Sequence, residues 1–207
     1  MEFVETNHNR PYRSRPKWTL IFIGIAIVGF IIQFITGPGI WQYFAFIPEH
    51  AITRPWTFIT TIFLHADINH LFFNMFMLFA FGINLERLLG KNKFLIIFLV
   101  SGILGNLGYW ITTSNYSIPA IGASGAVYGL MGTLSILAPF MKFYVWGLVP
   151  VPMIVLTALY AIGDIFGLFT PSNIAHGAHL AGLIAGIAFG IYLRPFFGYR
   201  RNKDIEL

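Results

Sequence analysis

The run Ile174-Ala-His176-Gly177-Ala178-His179-Leu-Ala-Gly182-Leu-Ile-Ala-Gly186-Ile-Ala-Phe-Gly190-Ile-Tyr-Leu193 decides the fold. It holds no Asp, Glu, Lys or Arg, and it reaches the roughly 20 residues that a helix needs to cross the hydrocarbon of a bilayer. Ala178, Gly182, Gly186 and Gly190 recur every four positions, so they share one helical face on which a second backbone can approach closely. The two histidines stand together at one end of an otherwise apolar segment.

Five further apolar runs surround it: Trp18 to Ile35, Ile68 to Leu85, Phe94 to Thr113, Ala123 to Phe140 and Phe143 to Ile162. They are too long and too continuously apolar for barrel strands of about ten alternating residues, and only helices or closed barrels satisfy backbone groups in lipid. The expected class is all-α: a polytopic membrane protein with a bundle of six transmembrane helices. Composition agrees, since 57% of the 207 residues are hydrophobic and 10% are charged, against about 25% charged in soluble domains. The mean hydropathy of +0.72 excludes a water-soluble globule.

Net charge is +5, but the basic residues lie between apolar runs rather than beside a soluble aromatic platform, so no nucleic acid is expected as partner. The absence of cysteine removes disulfides, thiolate metal sites and cysteine nucleophiles. Arg10, Arg13, Arg15 and Lys17 precede the first run, Arg87, Lys91 and Lys93 follow the second, Lys142 the fourth, and Arg194, Arg200, Arg201 and Lys203 the sixth. With six spans these twelve fall on one face and only Arg54 on the other, which places both termini in the cytoplasm. The expected organisation is a basic tail over 1–17 without a removable signal peptide, a six-span body over 18–193 and a second tail over 194–207. The connection from Thr36 to Leu64 is aromatic and is expected to lie in the outer interface. Pro150 and Pro152 suggest a kink or break within the fifth run.

Polar side chains inside spans are costly and by default mark function. They form three clusters: His65, Asp67, His70 and Asn74; Gly122, Ser124, Gly125 and Tyr128; and His176, His179 and Gly182. Each opens an even-numbered span, so all three fall at one depth below the outer surface. The small faces of the fourth and sixth spans can bring Ser124 within hydrogen-bond reach of an imidazole on the sixth, the arrangement of a base and a nucleophile. His70 and Asn74 can add donors for an oxyanion, and Tyr128 can hold the ring by stacking. The acids at membrane depth are Asp67, Glu86 and Asp164; none is a clear third member of a triad, and a Ser-His dyad is inferred.

At these residues the chain resembles the rhomboid intramembrane serine proteases. The resemblance rests on His65, His70 and Asn74, on Gly122-x-Ser124-Gly125, on Ala178-His179-x-x-Gly182-x-x-x-Gly186, and on Gly82, Glu86 and Gly90. It implies a six-span rhomboid-like catalytic domain with Ser124 as nucleophile, His179 as general base and Tyr128 packed on His179. It further implies an oxyanion hole of His70, Asn74 and the Ser124 amide, a structural role for His65, and no cofactor or metal. The implied substrates are single-span transmembrane proteins, cut in or near the membrane-spanning helix. The implied setting is the lipid bilayer of the cell membrane, with the site open to the outer side. One departure is the outer loop, where many relatives carry adjacent Trp-Arg and this chain has Trp56-Thr57, with Arg54 before them.

Other readings compete. Ser124 among glycines can be a helix contact alone. The histidines with Asp67 can form a metal-binding transporter or metalloenzyme, although no His-Glu-x-x-His pair occurs. A non-catalytic rhomboid-like protein that grips clients is disfavoured by the presence of both Ser124 and His179.

Overall fold

The computed structural model describes residues 16–145 and 147–197, so the tail cations Arg10, Arg13, Arg15, Arg200, Arg201 and Lys203 lie outside the described residues. Among the described residues six longer helices carry the fold: α1 (Trp18–Thr36), α2 (Ile68–Leu89), α3 (Lys91–Thr112), α4 (Ser124–Leu137), α5 (Met153–Gly167) and α6 (His176–Leu193). Within α2 one turn, Leu78–Gly82, is π-helical. By length and composition α1, α2, α3 and α6 can cross a membrane, whereas α4 and α5 have 14 and 15 residues. At 1.5 Å per residue α4 rises about 21 Å, short of the roughly 30 Å of hydrocarbon.

The outer faces are apolar. Ile25, Val28 and Ile32 of α1, Phe72 and Phe76 of α2, and Ile184 and Ile191 of α6 are all exposed, an arrangement suited to lipid rather than water. The short α4 is the centre of the bundle: from Gly125 to Ser135 only Tyr128 is not fully buried. Its partners come close because they lack side chains. A Cβ added at Gly182 would fall on the Gly125 carbonyl, and one at Gly186 on the Gly129 carbonyl. The Thr133 hydroxyl bridges the same contact, within 2.9 Å of both the Gly129 and Gly186 carbonyl oxygens.

The fifth run departs from expectation. Its beginning is an antiparallel hairpin, β1 (Lys142–Val145) and β2 (Val149–Pro152), and helix starts only at Met153. Two prolines are the physical reason: neither can donate a helical hydrogen bond, and both are tolerated in a two-residue periodicity because their missing donors fall on the same strand edge. Gly147, at φ 70°, makes the turn. This hairpin is the one sheet among the described residues of an otherwise helical fold.

Glu86, buried near the end of α2, caps a different helix. Its carboxylate accepts the backbone N–H groups of Lys17, Trp18 and Thr19 at 2.9 to 3.0 Å and the Thr19 hydroxyl at 2.8 Å. A negative charge thus meets the positive end of α1, where amides lack intrahelical partners. The aromatic connection after α1 is held by its own contacts: the Trp56 indole donates to the Tyr43 carbonyl at 2.9 Å, and the Arg54 guanidinium stands 4.8 Å from the Tyr43 ring centre. Two backbone bonds, Ala120 N–H to the Phe46 carbonyl and Gly122 N–H to that of Thr61, tie it to the segment leading into α4.

Candidate active site

Ser124 is the first residue of α4, where amides have no earlier helical turn to donate to and the helix dipole is positive. Gly122, just before it, has φ +120°, and a Cβ there would lie 2.7 Å from the His70 ring; only glycine suits both demands. The Ser124 hydroxyl lies 2.9 Å from His179 Nε2 across the α4–α6 contact. Tyr128, one turn along α4, stacks on His179 with ring centres 4.3 Å apart and planes 15° apart.

His70 and Asn74 come from the first turns of α2, whose start is capped by Asp67 accepting the His70 N–H at 2.9 Å. Both side chains lie beside Gly122. One Asn74 amide hydrogen goes to the His70 carbonyl at 2.9 Å, and the other is available for a further acceptor. His65 is fully buried between α1 and α2, bracketed by Gln33, whose side chain accepts the His65 N–H at 3.1 Å and donates to its carbonyl at 3.2 Å. Burial, then the neighbouring His70, lowers the His65 imidazole from 6.5 to about 3. Gly125 faces α3 at Gly105 and α6 at Ala178 and Gly182, so three helices meet beside Ser124. From Gly105, α3 runs on to Thr112, about 10 Å further at 1.5 Å per residue. A crevice beside Ser124 is lined by Asn106, Ala120, Gly122 and Ala178.

The structure adds a group to which the sequence assigned no partner. Asp164 of α5, 4% exposed, places Oδ1 2.9 Å from His179 Nδ1 and 2.6 Å from His176 Nδ1. His176 Nε2 in turn lies 2.9 Å from the Ser172 hydroxyl. An acid in an apolar helix one short loop before two histidines was the available signal. Donor atoms of Asp164, His176 and His179 all lie within 4.8 Å of one another, a set whose chemistry also suits a zinc-like ion.

A family model described as the rhomboid domain matches residues 53–196. The putative rhomboid protease YdcA of Bacillus subtilis is 39% identical over 131 residues, covering 63% of this chain and 63% of that protein. The rhomboid protease GluP of Bacillus subtilis is 32% identical over 204 residues, 94% of this chain and 39% of that protein. The rhomboid protease GlpG of Klebsiella pneumoniae is 30% identical over 195 residues, 90% and 64% respectively. The chain thus spans less than two thirds of the length of each of these relatives.

Proposed function

The chain belongs to the rhomboid family and is a multi-pass membrane protein, and from that premise we propose that it is an intramembrane serine endopeptidase. The observation that carries the reading is the 2.9 Å approach of the Ser124 hydroxyl to His179 Nε2. Ser124 Oγ attacks the scissile carbonyl while its proton passes to Nε2. The tetrahedral oxyanion is met by the Ser124 amide, His70 and Asn74, donors that gain strength as the charge develops. Collapse breaks the C–N bond, and His179 returns the proton to the leaving amine. Water then attacks the acyl-enzyme, its proton going to His179 and from there to the departing Ser124 oxygen. Tyr128 supports the ring, Gly122 and Gly125 shape the turn into α4, and His65 and Gly182 are structural.

Single-span transmembrane proteins are the proposed substrates, cut in or near their membrane-spanning helix. Because a helix hides its carbonyls, the substrate must unwind locally, and helix-weakening residues near the cut favour cleavage. The catalytic body is residues 18–193 in the cell membrane, with both tails cytoplasmic and the site open outward; no cofactor is required. Labelling the purified protein with a fluorophosphonate tests this. We expect an adduct on Ser124 and loss of both adduct and proteolysis in Ser124→Ala; full activity of that variant overturns the assignment.

A second reading rests on the Asp164–His176–His179 cluster as a zinc site of a metal-dependent membrane protein. Activity lost to a chelator and restored by zinc, without a Ser124 adduct, is the outcome that favours it.

A further inference from the structure

Resting on the protease reading, we propose that Asp164 is the positioning residue of this site. Its Oδ1 holds His179 with the Nδ1 proton turned away from Ser124, and His176 secures the same oxygen from the other side.

α5 exposes Ile154, Val155, Leu159, Ile162 and Ile165 to its surroundings, and a carboxylate on such a helix is expensive unless partnered. Asp164 is buried and turns inward to the first turn of α6, where His176 and His179 stand three residues apart on one face.

An ionised carboxylate only accepts, so both imidazoles facing Oδ1 through Nδ1 donate to it. A neutral imidazole has one N–H, and the other nitrogen of each ring is left as an acceptor. For His179 that acceptor is Nε2, 2.9 Å from the Ser124 hydroxyl, the state a general base requires. For His176 it is Nε2 beside Ser172. One carboxylate oxygen thereby sets the tautomer of both rings, in the chain Ser124, His179, Asp164, His176, Ser172.

Stacking cannot do this alone. Tyr128 fixes the plane of the His179 ring but not which nitrogen carries the proton. With the proton on Nε2, the ring donates to Ser124 and cannot activate it. When His179 takes the serine proton, the Asp164 charge stabilises the new positive charge, and the proton on Nδ1 stays where it is. The other groups near the ring are His176 on α6, Tyr128 on α4 with Tyr160 of α5 behind it, and His70 on α2.

The test combines nitrogen-15 NMR of histidine-labelled protein with kinetics of Asp164→Asn and Asp164→Glu, using the full chain in detergent or nanodiscs. In the unmodified protein we expect His179 and His176 to be protonated at Nδ1 and not at Nε2. Asp164→Asn should lower kcat by about 10²- to 10⁴-fold with KM within threefold, and shift the His179 proton to Nε2. Asp164→Glu should recover part of kcat and restore the Nδ1 signature. A His179 protonated at Nε2 in the unmodified protein overturns the proposal whether or not the variants fold. So does a folded Asp164→Asn protein keeping more than a tenth of kcat. A protein that gives the expected spectrum but no fluorophosphonate adduct at Ser124 overturns the protease reading instead.

Discussion

His65 shows how much one buried imidazole ties to its surroundings. It is neutral because burial penalises its charge and His70 stands beside it, which lowers it to about 3, whereas in an unfolded chain it protonates near 6.5. Between these values the unfolded state binds the extra proton, so stability contributed above 6.5 is lost as pH falls toward 3, by up to about 1.4 kcal/mol per pH unit. Thermal unfolding midpoints in detergent, measured from pH 7 to 4, should fall more steeply for the unmodified protein than for His65→Gln, which carries no titrating ring. Parallel slopes would remove His65 as the source. The residue does not touch Ser124; it holds the entry to α2, from which His70 and Asn74 project, together with the Gln33 bracket on α1.

Among the elements, the α4–α6 contact tolerates the least change. Its two backbones meet at Gly125 with Gly182 and at Gly129 with Gly186, without space for a methyl group. Gly182→Ala should therefore lower the thermal midpoint and proteolysis together, a cost of about 1–3 kcal/mol for overpacking. Gly163→Ala on α5, where an added Cβ meets nothing within 4 Å, should leave the midpoint unchanged or raise it. Equal effects of the two would mean that close approach does not hold the bundle together. This contact was legible in the sequence because small residues at every fourth position define a face without reference to any neighbour. The β1–β2 hairpin was not legible, since Pro150 and Pro152 in an apolar run read equally as a kinked helix. Nor was the part of Asp164, because the partner of a lone acid depends on how α5 turns back on α6, which no local spacing encodes.

At the scale of the whole molecule, the proposed orientation rests on the twelve cations that six spans would put on one face and on Arg54, which they would put on the other. The chain has no cysteine, so single cysteines report on topology without background. Thr53→Cys in intact cells should react with a membrane-impermeant maleimide, whereas Ser14→Cys and Asn202→Cys should react only after permeabilisation. The reverse pattern would invert the proposed topology. The length of α4 then bears on something other than catalysis. Because Ser124 opens α4 and α4 rises about 21 Å, the body of that helix stands between the hydroxyl and the opposite face. The proposed proteolysis then draws its water from one side of the bilayer only, and an ion gradient held across the protein survives it.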